Sequence, residues 1–505
     1  MSSTNAKKAV VIGAGIGGLA AAIRLADQGL HTSVYESTGE PGGKIKEERI
    51  AGYRFDLGPS LFTMPELVME LDALTRSSAH VKMDLLPPAF QYQTLDRSTH
   101  YFWEDGTQIK AWANRKAFKK EVMEAVEVDP TALDQHLAHS QTIFEATRGL
   151  FLEQSLHEWR RFRWSAFRKA APYLHQLPWL GSLHRLNRRK LREPHLVQIF
   201  DRYATYNGSD PHRAPAMLHV IPHLEHGLGT YFPNGGMAAI AQHLYALGKS
   251  LGVAFHFGQA VQKIAHQNGT VRGIELEING QPHHVAAQVV VSNADVHPTY
   301  RKLLPELKAP EKTLNQERST SGVIFYWGIR KAHPALHLHN ILFSQNYHQE
   351  FQSIEAMGHP GSDPTVYINI TSKIQSTDAP NGCENWFVMV NVSANPDAIE
   401  SQIPTIRQAV LDKITRTLGH SVEEFIETES ILSPRDIEKR TGSWRGALYG
   451  ASSNKALSAF LRHRNRSRQI NGLYFCGGSV HPGGGIPLCL LSARIASELI
   501  RTTAP

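Results

Sequence analysis

The chain has 505 residues, 41% of them hydrophobic and 20% charged. That is the balance of an ordinary folded protein and too long for one compact core, so two or three domains are expected. Fifty-three Lys and Arg against 46 Asp and Glu give a net charge of +7, an excess that favours an anionic surface without demanding one.

The first eight residues, MSSTNAKK, are polar and lead straight into an apolar run, so no secretory signal is expected. No stretch of 18 apolar residues occurs, which excludes a membrane-spanning helix. Cys383, Cys476 and Cys489 form neither a CxxC pair nor a metal-ligand spacing. They are read as reduced thiols of a cytoplasmic protein, and no metal site is expected.

Residues 7–12, KKAVVI, predict a buried parallel strand. GAGIGG follows, with glycines at Gly13, Gly15, Gly17 and Gly18, and then a helical pattern through Ile16, Leu19, Ala20, Ile23 and Leu25 that stops at Gly29. Gly13 permits the tight turn, Gly15 lets main chain approach a pyrophosphate, and Gly18 allows close helix–strand packing. A second strand, HTSVYE, ends in Glu36, placed to accept hydrogen bonds from ribose hydroxyls. The pattern predicts a dinucleotide fold.

A second glycine turn, Gly42-Gly43-Lys44, ends in a cation able to sit near the pyrophosphate. Tyr53 to Ser60 forms another strand-to-turn element, closing with Gly58, Pro59 and Ser60. A simple nicotinamide enzyme has no use for this pair. Here the chain resembles the flavin-containing amine oxidase and phytoene-desaturase superfamily, which usually has GGR where this sequence has GGK. Lys44 keeps the charge and loses the guanidinium fork. The resemblance implies FAD as cofactor.

The middle divides in two. Residues 113–225 read as mostly helical. Between Trp159 and Arg192 lie ten Lys or Arg and no Asp or Glu, interleaved with Trp159, Phe162, Trp164, Phe167, Tyr173 and Trp179. This mixture suits an anionic bilayer surface; the competing reading is a solvated basic face with its aromatics packed inward. With no nucleic-acid fold signal, a nucleic-acid partner is not expected. Arg462 to Arg468, RHRNRSR, is a weaker hint of an anionic surface. Residues 318–395 hold four apolar, β-branched and aromatic runs that predict an antiparallel sheet. Phe325, Trp327, Tyr367 and Phe387 are candidate lining of an apolar channel, or plain core.

Near the C-terminus, LYFC predicts a strand, the glycine turn 477–485 follows, and IPLCLLSARIASELI predicts an amphipathic helix. A helix start aimed at a flavin stabilises negative charge there. The stretch through Gly477, Gly478, Gly485, Ile486 and Pro487 closely resembles the C-terminal signature of bacterial-type phytoene desaturases, with Val480 and Gly484 as departures. Val261 matches the superfamily position whose main chain contacts adenine. The likeness runs along essentially the whole chain.

The resulting expectation is an α/β protein. It has a discontinuous Rossmann-like FAD domain (1–112, 226–317, 430–505), an antiparallel-sheet substrate domain (318–429) and a helical, membrane-associating insertion (113–225). The resemblance implies two-electron dehydrogenation of an acyclic carotenoid on the inner face of the cell membrane. Quinone or oxygen would reoxidise the flavin, since no second dinucleotide fingerprint appears. GYRFDLGPSLFTMPELV and HLHNILFSQNYHQEF are most similar to desaturases acting at the 3,4 bond of 1-hydroxycarotenoids. The alternatives are a phytoene or neurosporene desaturase, a carotenoid isomerase or retinoid saturase, an amine or porphyrinogen oxidase, and a non-enzymatic polyene carrier. No catalytic base is assigned; His481 is read as structural.

Overall fold

The computed structural model describes residues 7–158, 164–455 and 462–503. Its first layer is a five-stranded parallel sheet in the order Leu473–Phe475, Val289–Ser292, Lys8–Ile12, His31–Tyr35, Ala254–His256. Both faces are covered. Ala9 and Val11 pack on the helices Ile16–Asp27, Ala238–Ser250 and Ile486–Thr503. Val10 and Ile12 pack on an antiparallel meander spanning Val261–Ala286. Two buried faces explain why the first strand reads as an unbroken apolar run. Strands from both chain ends lie in this one sheet, so the domain is discontinuous.

The second layer is a seven-stranded sheet, in the order Ile426–Leu432, Ser321–Ile329, Glu384–Val392, Val366–Ile370, His339–Leu342, Arg97–Phe102, Gln108–Trp112. The sheet is mixed rather than antiparallel throughout, because His339–Leu342 runs parallel to Arg97–Phe102. Two boundaries move accordingly. Residues 97–112, expected in the cofactor domain, belong to this sheet, where Tyr101 and Ile109 bury against the helical layer. Ile426–Leu432 carries the sheet past residue 429 as its outer strand.

Residues 113–225 fold largely as helices, chiefly Arg115–Ala125, Pro130–Thr147, Leu183–Leu191 and Pro194–Asp201. They pack on the Tyr101–Ile341 end of the sheet. Helix Ile403–Leu418 covers the opposite face, through Ile406, Val410 and Ile414.

Candidate functional site

Between the two sheets lies one cavity of about 1140 Å³, and every candidate cofactor residue except Gly18 lines it. That volume exceeds the roughly 300–1,000 Å³ usual for a single small-ligand pocket. One end is made of main chain. Gly13 donates its N–H to the Tyr35 carbonyl at 2.8 Å, which ties the turn to the second strand. Gly18 sits so close beneath Gly13 that a Cβ would lie 2.0 Å from the Gly13 carbonyl oxygen. Gly18 therefore shapes the turn from behind rather than facing the cavity. The turn at Gly42 and Gly43 docks on the first one, with Gly42 N–H donating to the Ala14 carbonyl at 2.9 Å.

Glu36 is buried and oriented. Its Oε2 accepts from the Ala14 N–H at 2.8 Å and its Oε1 from the Thr38 N–H at 2.9 Å. Gly58, Pro59 and Ser60 follow the buried strand Tyr53–Asp56. Arg54 pairs with Asp56 at 2.8 Å, and Asp56 accepts from the Met237 and Ala238 N–H groups at the start of helix Ala238–Ser250. The YRFD motif thus anchors this turn to the cofactor domain. Val261 opens the first meander strand, and Ile486 opens the final helix, with Gly485 before it and Pro487 after it.

Lys44 crosses the cavity and donates to the carbonyls of Leu448 at 2.7 Å and Ala447 at 3.2 Å. Burial brings its pKa down to about 8, against the opposing pull of Asp295. Two contributors escaped the sequence reading. Asn293 wedges its side-chain amide between the N- and C-terminal glycine turns: a Cβ on Gly477 would lie 2.5 Å from its Oδ1. Arg462, expected on a basic surface, is buried and donates to the Tyr449 carbonyl and to Asn207 Oδ1, both at 2.7 Å. The C-terminal turn leaves main-chain acceptors that need donors, and Arg462, with His463 buried beside it, serves inside. Asn293 had a findable signal, a polar residue directly ending the apolar strand VVVS.

The other end of the cavity is made of side chains. Ile324, Phe387, Met389, Tyr367, His339 and Ile341 present one sheet face, and Phe144, Met217 and Leu224 close it from the helical layer. Tyr367 and Phe387 are therefore lining. Phe325 and Trp327 are not: strand alternation turns them to the far face, where they pack with Val323 against helix Ile403–Leu418. His481, read from sequence as structural, also lines the cavity. Its Nε2 bonds the Gln154 carbonyl at 3.0 Å, and burial depresses its pKa to about 4.

The sequence matches the flavin-containing amine oxidoreductases over residues 16–501. The chain belongs to that family. It is 48% identical over 500 residues to a 1-hydroxycarotenoid 3,4-desaturase of Flavobacterium sp. (strain P99-3), covering 98% of this chain and 99% of that one. It is 29% identical over 506 residues to a 4,4'-diapolycopene oxygenase of Methylomonas sp., covering 99% of each. Among solved structures, an oxidoreductase from Methanosarcina mazei aligns with a TM-score of 0.62 at 16% identity, over 97% of this chain and 100% of that one. Cyclohexylamine oxidase from Brevibacterium oxydans IH-35A aligns with a TM-score of 0.61 at 14% identity, over 98% and 99%. These two share the fold.

The protein is an FAD-dependent oxidoreductase, and its main-chain end fits the cofactor. The glycine turns leave room for a pyrophosphate where side chains would intrude, and Glu36 is held ready as an acceptor.

The helical region of the flavoprotein turns aromatic residues outward. Trp164, Trp179 and Leu180 are 64%, 52% and 91% exposed, and Phe167 and Tyr173 are also exposed. Arg185, Arg188, Arg189, Lys190 and Arg192 are exposed nearby in sequence. Trp159 and Phe162 lie outside the described residues. In the same region His184, Asp201 and His212 come within 4.8 Å of one another, a grouping that their sequence spacing concealed. Their polar atoms are engaged: Asp201 accepts from Asn187 and pairs with His184, while His212 pairs with Asp210. Among the described residues, no helix is long and apolar enough to cross a membrane.

Proposed function

We propose that the protein is a carotenoid desaturase introducing the 3,4 double bond of an acyclic 1-hydroxycarotenoid. The carrying observation is the 48% identity along essentially the whole chain to a relative bearing that activity in its name. The apolar cavity supports it. Ile324, Phe387, Met389 and Ile341 give a polyene a greasy wall, whereas a polar amine would lose hydration there without compensation.

In this reading the turn at Gly13–Gly18, together with Gly42 and Gly43, holds the pyrophosphate. Glu36 holds a ribose, Val261 borders the adenine, and Lys44, Gly58–Ser60, Gly477, Gly478 and Gly485–Pro487 surround the flavin. Bound FAD would supply the two-electron acceptor for a hydride leaving an allylic carbon. The chain's own work is to align the polyene, exclude water and leave the departing proton an exit. Conjugation spreads the charge that arises along the substrate, so a strong acid–base pair is not required.

The outward Trp164, Trp179 and Leu180 beside a run of exposed cations support docking on the anionic inner face of the cell membrane, where such a substrate dissolves. Leu177, two residues before Trp179, packs with Met217, and Met217 also lines the cavity, which supports a substrate entry near this patch. Quinone in the same membrane, or oxygen, serves as final acceptor.

Expression in a lycopene-producing host, with and without a carotenoid 1,2-hydratase, tests the reading by product analysis. New 3,4-desaturated products are expected only with the hydratase; desaturation without it sinks the hydroxylated-substrate assignment. Partition of purified protein into anionic liposomes tests the surface. The double variant Trp179→Ser/Leu180→Ser is expected to bind about tenfold more weakly.

A further inference from the structure

We propose that the Asn293 side-chain amide donates a hydrogen bond to a phosphate oxygen of the cofactor and so positions the pyrophosphate at the Gly13–Gly18 turn. The inference rests on the placement of the pyrophosphate proposed above and deepens it.

Asn293 stands where strand Val289–Ser292 ends, and its main-chain N–H donates to the Ile12 carbonyl at 2.9 Å. That bond sets the residue beside the start of the glycine turn, and its side chain lies across the turn. A Cβ on Gly15 would lie 2.9 Å from Nδ2 and one on Gly13 3.6 Å, whereas a Cβ on Gly17 or Gly477 would lie 2.6 or 2.5 Å from Oδ1. The two ends of the amide thus face different partners. Oδ1 accepts from the Cys476 thiol at 3.7 Å. Burial raises the pKa of that thiol, so it keeps the proton it donates, and this fixes which end of the amide is oxygen.

Nδ2 meets no protein acceptor among the described residues, and it keeps exposed surface, on a half-buried residue that lines the cavity. A donor open to a ligand space and left without a protein acceptor is placed to serve an acceptor on the ligand. Its neighbours select the kind. Gly15 caps helix Ile16–Asp27 without a side-chain acceptor, and no acidic residue occupies the first turn, so the helix start is left for an anion. Nδ2, beside Gly15, adds a neutral donor at the same place. Asp295, two residues on, is paired with Arg318 at 2.5 Å, which offsets its charge toward a phosphate. Because Oδ1 sits against Gly477, the same amide brings both ends of the chain to the cofactor.

The test is titration of the flavin-free, full-length protein with FAD, followed by flavin fluorescence, and displacement of FAD by ADP, which carries a diphosphate and no flavin. Asn293→Leu, close in volume and without a donor, is expected to weaken FAD and ADP alike by about tenfold. Asn293→Asp keeps the shape but sets a carboxylate against the phosphate, and is expected to weaken both further, by about 100-fold. A packing role would give the reverse order, with the isosteric Asp the milder change, and overturns the proposal. Loss of FAD affinity with ADP unaffected assigns the amide to the flavin and overturns it too, as does unchanged binding of both by Asn293→Leu. The Tm of the flavin-free protein reports folding. Should Asn293→Leu fail to fold, Asn293→Asp is read in its place: equal loss of FAD and ADP supports the proposal and unchanged affinity overturns it. Failure of ADP to displace FAD from wild type would instead defeat the placement of the pyrophosphate at this turn.

Discussion

At the cofactor end the cavity is walled by main chain, and at the substrate end by side chains. The turns at Gly13, Gly42 and Gly477 present bare Cα atoms at positive φ, and at Gly42 and Gly477 a Cβ would also collide with its neighbours. The sheet face through Ile324, Phe387 and His339 presents hydrocarbon with one interrupted polar strip. In the reading proposed above, the first construction receives the pyrophosphate and the flavin. The second adapts to a particular substrate, since side chains can change without disturbing the strands beneath them.

The contrast breaks most visibly at Gly18. Gly18→Ala puts a Cβ 2.0 Å from the Gly13 carbonyl, and the strain is expected to cost about 3 kcal/mol or more. The purified protein should be colourless, with a depressed Tm. A yellow, fully active variant would show that the turn tolerates the collision.

Acid should separate the two ends next. In the substrate half His100 and His219 hold pKa values of about 3, and His226 and His339 values of about 4, all through burial. Unfolded, each titrates near about 6.5, so below that pH the unfolded chain takes up protons that the folded one refuses. Stability is therefore lost as pH falls from about 6.5 toward 4. The helical and seven-stranded half carries more such histidines than the cofactor end, where His463 is held at about 3 and His481 at about 4, so limited proteolysis should cut it before the parallel sheet.

A matched pair sharpens the contrast within one sheet. Phe325→Ala removes packing against helix Ile403–Leu418 and is expected to cost about 3–5 kcal/mol of stability while leaving KM near wild type. Phe387→Ala opens the cavity wall and is expected to raise KM more than it lowers Tm. Equal effects of the two on KM would argue that the far face is not insulated from the ligand.

The smallest effect is expected at Glu36, proposed above to hold a ribose. Glu36→Ala removes a charged acceptor and should weaken FAD binding by about 10- to 100-fold, read by flavin titration of the apoprotein.

The same division governs what the sequence disclosed. Gly13, Gly18, Gly42 and Glu36 were legible because close main-chain approach leaves few residue choices at fixed spacings. Arg462 was not, because its partner Asn207 lies far along the chain, and Asn293, visible as a polar residue ending an apolar strand, gave no sign of its partner Gly477. Phe325 and Phe387 read alike as aromatic strand residues; only the register of the pairing, Phe325 opposite Val388 and Phe387 opposite Tyr326, reveals which faces the cavity. Residues 97–112 were placed in the cofactor domain because the pairing of Arg97–Phe102 with His339–Leu342, about 240 residues away, leaves no local trace; Gln108–Trp112 follows as its hairpin partner.

The order of strands in the parallel sheet also sets a timetable. Lys8–Ile12 is made early, yet its neighbour's outer partner, Leu473–Phe475, and the helix from Ile486 are made long after it. Until then the nascent chain carries four of the five strands, with the edge at Val289–Ser292 open and the C-terminal glycine turn missing. Supply of FAD at the moment of release, more than supply of substrate, would then set how much of each newly made chain survives as enzyme.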